Sequence, residues 1–531
     1  MKQKIKNILQ NSFYQLIAVY TILVLLISLN LYWKYALQFQ IFALIIAILG
    51  IFIINKKTDI TLSPFKNKYL HYTLFILAII LIILFRIFPY INQPLLSQNP
   101  SDLIIPLGYD AGIYKYAIES FSQNHFQIDN WLKGAITPGF LYLTYPLMQI
   151  FSSQTILTYI FILFNLILGL AIYLTTKEYF NKQTGLIAFL IYAVSAIQFQ
   201  TFTYLYYKNI IALSLMLFAI YFHKKQKTIP FIILGALIGA MHRPTFYIFG
   251  LSYILFTIYN YKDLKTNIFK GLSILALTLI FYIGFFKQAI LPLINPLLQS
   301  FTQPGESAGT FINFFTYQFS ILAYLPFAIL GFFYLAKKKQ FNMIFFWTLI
   351  NASIVYFQFF FFNRFIIHLD IALIILASVG FSIIIQNKKK LGTIILILML
   401  FSAGFVTFTQ SINTHPLITE SELQAIQYLS TTEQESFVMS TSSIYSPWIL
   451  GYSERKTIAP GLFDYNQHNE AEWIEFWTTT DINEVQDFMN KYNKPLYVFI
   501  GQKQTDNLEQ FPECFIIIHQ QDNNKIYKYI C

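Results

Sequence analysis

The sequence predicts a polytopic α-helical membrane protein of about 13 transmembrane helices followed by a small C-terminal α/β domain. Three observations carry this. Of the 531 residues 56% are hydrophobic and 11% charged, whereas soluble domains run near a quarter charged, too few polar groups here for a water-facing shell. The apolar residues come in runs of roughly 17–25, the length that crosses the hydrocarbon of a bilayer. Finally, the charge divides near residue 410: residues 1–410 hold 29 Lys and Arg against 9 Asp and Glu, and residues 411–531 hold 7 against 16. The overall +11 would suggest nucleic acid in a soluble protein, but here the cations lie between apolar runs, so no nucleic-acid partner is expected. Two cysteines, Cys514 and Cys531, are too few for a thiolate zinc site or a cysteine-rich framework.

Taken in order, the apolar runs place helices at about 13–32, 36–54, 69–90, 155–175, 185–203, 205–222, 229–242, 244–260, 271–290, 319–335, 342–361, 365–385 and 391–409. Lysines gather at Lys2–Lys6, Lys56–Lys68, Lys177 and Lys182, Lys224–Lys227, Lys262–Lys270, Lys337–Lys339 and Lys388–Lys390. All fall on one side of this arrangement. The other side carries Lys34, Lys115, Lys133, Lys208, Arg243, Lys287 and Arg364. Positive residues accumulate on the cytoplasmic face, so the N-terminus is expected inside and the acidic C-terminal domain outside, in a plasma or inner membrane. The apolar stretch Ile136–Phe151 is short and holds Pro138, Gly139 and Pro146; it reads as a re-entrant or surface-lying element. The first apolar run is long and lacks a small-residue cleavage site, unlike a cleaved signal peptide. No internal repeat is evident, which weakens an inverted-repeat transporter.

Polar residues of interest collect on the outer side. In the large loop of residues 91–135, Gly108-Tyr109-Asp110-Ala111-Gly112 precedes apolar residues at 113, 114, 117, 118 and 121, the spacing of an interfacial helix. Asp110 would either cap that helix or, flanked by two glycines that admit a ligand, serve as a base or metal ligand. Farther along, Gly235 and Gly239 make a small-xxx-small packing face, and Pro244 breaks the run behind His242 and Arg243. Broken membrane helices line cavities. Arg243 then either snorkels to the interface or meets a ligand there. In Asn363-Arg364-Phe365-Ile366-Ile367-His368-Leu369-Asp370, Arg364 and His368 share a helix face. Asp370 needs a cation from another helix or a place in the site. Lys208, opening another span, is a further candidate for the same cavity.

These residues resemble the GT-C superfamily of polyprenyl-phosphate-sugar-dependent membrane glycosyltransferases, which includes oligosaccharyltransferases and protein mannosyltransferases. The likeness spans nearly the whole chain: a large first external loop with an acidic residue, a juxtamembrane element after it, 11 to 13 spans and a terminal extracytoplasmic domain. It implies that Asp110 is the catalytic aspartate and that Arg364 binds the donor phosphate, with Arg243, His242, His368 and Lys208 as further phosphate ligands. Where the oligosaccharyltransferase branch has Trp-Trp-Asp, this chain has Ser446-Pro447-Trp448, and the acidic metal-binding pairs of that branch have no clear counterpart. A divalent cation, Mg or Mn, is the one cofactor considered, with Asp110 its ligand if any residue is.

The expected activity is transfer of a sugar or glycan, with inversion, from a polyprenyl-(pyro)phosphate donor to an acceptor protein, lipid or glycan on the external face. The alternatives are a lipid-linked glycan transporter or flippase and an O-antigen-ligase-like enzyme. No Gly-rich phosphate loop for a nucleotide appears. The expected domains are residues 1–410, a multi-pass GT-C-like domain, and residues 411–531, a soluble domain outside. In the latter, Thr419–Leu423 reads as a helix start, Pro495–Gly501 as a buried strand, and the chain end as strand-turn-strand. Trp448, Trp473, Phe476 and Trp477 would be core or would stack on sugars, and Cys514 and Cys531 sit where a final hairpin admits a disulfide.

Overall fold

The computed structural model describes residues 2–29, 36–54, 68–91, 104–124, 126–289, 312–359, 362–440, 442–460 and 465–531. Lys34, Lys56, Lys57, Lys66 and the stretch 92–103 of the predicted external loop lie outside the described residues.

In chain order the helices are α1 (Lys2–Ser28), α2 (Ala36–Ile54), α3 (Lys68–Ile91), α4 (Ala111–Gln123), α5 (Asn130–Ala135), α6 (Pro138–Met148), α7 (Ser153–Thr155), then a π turn (Ile156–Ile160) into α8 (Phe161–Tyr179), followed by α9 (Lys182–Ala193) and α10 (Ala196–Thr203). Next come α11 (Tyr207–Lys224), α12 (Thr228–Met241), α13 (Arg243–Tyr259), α14 (Leu264–Phe281), α15 (Phe286–Ala289), α16 (Phe314–Ser320), α17 (Leu325–Lys337), α18 (Met343–Tyr356), α19 (Phe362–Asn387) and α20 (Lys389–Asn413). The C-terminal region adds α21 (Glu420–Tyr428), β1 (Phe437–Ser440), α22 (Ser446–Tyr452), β2 (Lys456–Ile458), α23 (Glu470–Thr478), α24 (Ile482–Met489), β3 (Leu496–Ile500), β4 (Phe515–Gln521) and β5 (Asn524–Tyr529).

Each of the thirteen predicted apolar runs overlaps a helix or a bent pair of helices. Among the described residues, however, six helices are long and apolar enough to cross a membrane, or up to eight if two bent pairs count as single spans. The bends are of 53° between α9 and α10 and 83° between α16 and α17. Hydropathy sees only a continuous run in the first pair. Its break is made by Ser195, whose side chain accepts the Gln198 N–H at 3.2 Å and so restarts the helix in a new direction.

The chain divides into two compact units: Met1–Ile91, Thr137–Phe140 and Phe161–Thr414 in one, Asn92–Ile136, Leu141–Ile160 and His415–Cys531 in the other. In the first, α19 is the central element, buried from Phe365 to Ile385 and packed against α9, α17, α18 and α20. Peripheral helices instead turn apolar side chains outward, as Phe269, Leu272 and Ile280 do on α14. Such a surface suits lipid and not water. Gly235 and Gly239 of α12 face Ile274 and Thr278 of α14, and the Tyr282 hydroxyl donates to the Gly239 carbonyl at 2.9 Å. The small-residue face therefore lets two helices approach closely, as its spacing predicts.

The second unit holds a five-stranded sheet of order β2-β1-β3-β5-β4, with β2, β1 and β3 parallel and the final hairpin antiparallel. The run Leu496–Ile500 is buried on both faces, which accounts for its unbroken apolar sequence. Thr419 and Glu422 form a capping box at the start of α21, and Cys514 and Cys531 are joined as a disulfide across the terminal hairpin, with Cα atoms 4.9 Å apart. Trp448, Trp473 and Phe476 are buried, and Trp477 packs against the same core as Trp473 and Phe476. Their aromatic spacing thus builds a core, and the reading of these residues as a sugar platform is set aside. The element at Ile136–Phe151 is the short helix α6, with Pro146 inside it and Tyr142 and Ile150 exposed nearby.

Candidate functional site

In the second unit Gly108 takes φ 87°, a conformation open mainly to glycine, and turns the chain into Tyr109, Asp110 and α4. Asp110 occupies the N-cap position. Its backbone carbonyl accepts the Tyr114 N–H at 3.0 Å, yet its side chain makes no capping hydrogen bond and is exposed. This corrects the capping alternative: the carboxylate is not committed to the helix. Tyr109 beside it hydrogen-bonds with Ser443 and Ser446, and burial pushes its phenol pKa up from the usual range.

The helix that begins at Asp110 lies tightly on α22. A Cβ on Gly112 would collide with the Pro447 carbonyl oxygen, and one on Gly451 with the Gly112 carbonyl oxygen. Polar contacts reinforce this seam. Lys115 Nζ donates to Glu119 at 2.7 Å and to the Gly451 carbonyl at 2.8 Å, and stands 4.9 Å over the Tyr452 ring. Glu119 in turn accepts from Ser153 at 2.5 Å. The Tyr452 hydroxyl donates to Gln154 Oε1 at 2.7 Å, while Gln154 Nε2 donates to the Ile104 carbonyl, just upstream of the Gly108 turn. The segment leading into Asp110, the helix leaving it and the C-terminal fold are thereby joined in one network.

In the first unit the break between α12 and α13 falls at His242, with Pro244 next to the start of α13. His242 caps α13: its Nδ1 accepts the Thr245 backbone N–H at 3.3 Å and lies 2.8 Å from the Thr245 hydroxyl. Lys208, His368, Arg364 and Arg243 all act electrostatically on His242. The five basic residues singled out in the sequence are therefore brought to one place, from α11, α19 and the α12–α13 break. Arg243 also donates to the Ala289 carbonyl at the end of α15. His368 is fully buried, with Nε2 3.1 Å from the Thr245 hydroxyl.

Asp370 behaves differently from its sequence expectation. It is fully buried, and its carboxylate accepts from Ser195 at 3.0 Å, from Gln198 at 2.8 Å and from the Tyr324 hydroxyl. Three neutral donors thus take the place of the expected cation or ligand. Two of them, Ser195 and Tyr324, sit at the two helix bends. Behind Gln198 lies Arg86, also buried, whose guanidinium donates to the Gln198 carbonyl at 3.4 Å and stands 5.6 and 5.8 Å over the rings of Tyr192 and Phe202. Arg86 is concealed in an apolar run and Gln198 inside another, so neither signals itself. Thr245 and Asn209 were missed as well, although Thr245 stands three residues after His242, the spacing of a helix cap.

Among the described residues no three His, Cys, Asp or Glu side chains converge to hold a metal ion, and no step below is routed through one.

A family model described as dolichyl-phosphate-mannose-protein mannosyltransferase matches residues 136–283. Among curated proteins no match is found. Among solved structures, the archaeal oligosaccharyltransferase AglB from Archaeoglobus fulgidus, in complex with an inhibitory peptide and a dolichol-phosphate, is similar with a TM-score of 0.60 and 15% identity, over 81% of this chain and 69% of that one. The same enzyme in complex with Zn and sulfate gives 0.57 and 16%, over 80% and 67%. ArnT from Cupriavidus metallidurans bound to undecaprenyl phosphate gives 0.59 and 9%, over 87% and 98%. At these identities the likeness establishes the fold: the chain is a multi-pass helical membrane protein with the GT-C architecture.

Proposed function

We propose that the protein is an integral membrane glycosyltransferase that moves a sugar or glycan, with inversion, from a polyprenyl-(pyro)phosphate donor to an acceptor protein, lipid or glycan on the external face of a plasma or inner membrane. The observation that carries this reading is the gathering of the basic residues Lys208, His242, Arg243, Arg364 and His368 at one helix break, side chains of the kind that hold a phosphate. The solved neighbours hold dolichol-phosphate and undecaprenyl phosphate, and the family model matching residues 136–283, which contain Lys208, His242 and Arg243, bears the name of a dolichyl-phosphate-mannose enzyme.

The chemistry then runs as a single displacement. Asp110 takes the proton of the acceptor hydroxyl, the oxygen attacks the anomeric carbon, and the bond from that carbon to the phosphate oxygen breaks. Negative charge grows on the departing lipid phosphate, and Arg364, Arg243 and Lys208 stabilise it where it develops. In this reading residues 1–410 form the membrane domain and residues 411–531 the extracytoplasmic one, with the N-terminus inside; the Cys514–Cys531 disulfide suits an oxidising exterior.

Binding of undecaprenyl phosphate to the purified protein tests the donor assignment. Hydrogen bonds to charged groups contribute about 1.5–3 kcal/mol, so Arg364→Ala should weaken binding by roughly tenfold to a hundredfold, with partial rescue by Arg364→Lys because the ammonium lacks the planar fork. Asp110→Asn should bind the lipid like wild type but lose roughly 10² or more in turnover. Wild-type binding by Arg364→Ala would move the phosphate elsewhere; full turnover by Asp110→Asn would remove the base.

A further inference from the structure

The tryptophans Trp448 and Trp473 of the C-terminal fold are buried, yet the second unit turns other aromatic side chains outward. The Tyr116 hydroxyl, on α4, donates its single proton to Asp129 Oδ2 at 2.8 Å and hydrogen-bonds with Ser120 as well. Burial, with Asp129 the next cause, pushes the Tyr116 phenol up to about 12, so this donor persists at neutral pH. Asp129 stands at the N-cap of α5, but its side chain makes no capping bond there. It is exposed, and its Oδ1 accepts no hydrogen bond among the described residues. Tyr465 acts electrostatically on Tyr116. Its ring is 40% exposed and stands edge-on to Phe437, with centroids 5.3 Å apart.

The charges around this patch are balanced. Lys456 lies 5.4 Å over the Phe437 ring and donates to Glu435 at 2.6 Å, and Lys133, one turn after Asp129, donates to Asn130 at 3.3 Å. Two carboxylates are thus matched by two ammonium groups, so a cationic ligand gains little here. A neutral polyhydroxyl ligand finds both things it needs: an anchored oxygen acceptor for its hydroxyls and a ring for its apolar face. We propose that Asp129 and Tyr465 form a saccharide subsite, in which Asp129 Oδ1 accepts from the hydroxyls of a neutral hexopyranose and the Tyr465 ring packs against its C–H face. Tyr116 is a positioning residue that holds the carboxylate and does not touch the sugar. The purpose of the subsite rests on the glycosyltransferase reading above, to which it gives a substrate class. Tyr116 follows Asp110 by six residues, about 9 Å along a helix, so the subsite suits a sugar unit beyond the one that reacts.

The test is NMR titration of the full-length protein with the methyl α-pyranosides of glucose, mannose, galactose and N-acetylglucosamine. At least one should bind saturably at about 1 mM, the affinity that ordinary ligand efficiency gives a molecule of this size. Asp129→Ala removes no cap from α5 and should weaken that binding about tenfold, the loss of a charge-assisted hydrogen bond. Tyr465→Ala should weaken it about fivefold. Tyr116→Phe should weaken it about threefold alone and not at all in an Asp129→Ala background, since Tyr116 acts only through that carboxylate. A merely structural tyrosine would show its loss in both backgrounds. Should one variant fail to fold, the other two decide. No saturable binding by any of the four glycosides up to about 50 mM, or wild-type affinity in Asp129→Ala and Tyr465→Ala, overturns the proposal. Binding of tetralysine in their place, lost in Asp129→Ala, also overturns it and makes the patch a seat for a basic peptide. An undecaprenyl-pyrophosphate-linked disaccharide separates the two sources of sugar: weaker binding by Asp129→Ala assigns the subsite to the donor glycan, and unchanged binding assigns it to an acceptor glycan. Bare undecaprenyl phosphate should bind every one of these variants like wild type. If it fails to bind the wild-type protein while the glycoside titrations hold, the donor-phosphate reading falls and the sugar site stands.

Discussion

Asp370 illustrates how a single residue can be noticed in the sequence and yet misjudged. A carboxylate in the middle of an apolar run demands an explanation, and a cation or a ligand is the ordinary one. The actual answer is Ser195, Gln198 and Tyr324, residues between 46 and 175 positions away, and no local pattern connects them. Arg86 is the converse case, a cation hidden within a span and accommodated by two aromatic faces and two backbone carbonyls. The basic residues at His242–Arg243 and Arg364–His368 were legible because each stands beside a helix break or a helix start; the threonine and asparagine beside them were not, since neutral polar residues are common in membrane helices. Asp370→Asn keeps the volume but turns one acceptor into a donor facing donors. It should cost about 1.5–3 kcal/mol for at least one charge-assisted hydrogen bond, read as a lower midpoint of thermal unfolding in detergent. An unchanged midpoint would mean that the three donors are not acting on a carboxylate.

At the scale of elements, the apolar runs located the helices well, and α2 matches its expected limits of 36–54. What hydropathy could not read is direction: the bends of 53° and 83° and the π turn before α8 leave composition unchanged. Displacement occurs where charge interferes. The run expected at 271–290 is α14 at Leu264–Phe281, because Lys265 and Lys270 lie in its early turns and an apolar window excludes them, although lysine stems are readily accommodated near a helix end. The seam between α4 and α22 was equally invisible, since Gly112 and Gly451 stand 339 residues apart. Its consequence is measurable. Gly112→Ala places a methyl group against the backbone of Pro447, which has no flexible end to move away, and overpacking of this kind costs about 1–3 kcal/mol. The variant should lose turnover while keeping undecaprenyl phosphate affinity within about twofold of wild type, because the donor residues lie in the other unit. Undiminished turnover would show that the seam does not position Asp110.

For the whole molecule, composition alone announced a membrane protein, and the asymmetry of its lysines predicts an orientation. Reporters fused after residue 63 or residue 338 should be cytoplasmic, and reporters within residues 95–130 or after residue 420 external. A cytoplasmic C-terminal reporter would dissolve the proposed function, because an external acceptor could not then meet Asp110. The shift in charge near residue 410 marked where the last helix ends, close to the Thr414–His415 boundary of the compact units. It could not reveal that residues 92–136 belong with the C-terminal fold, because packing between distant segments leaves no trace in composition.

That partnership has a consequence for how the protein comes into being. Asp110 emerges from the ribosome some three hundred residues before Pro447 and Gly451 exist, so the helix that starts there must wait, across the insertion of every later span, for the surface it packs on. If Asp110 is the base proposed above, a chain interrupted after α20 would hold the proposed donor cluster while that base remained unsupported, and it would bind carrier lipid without spending it.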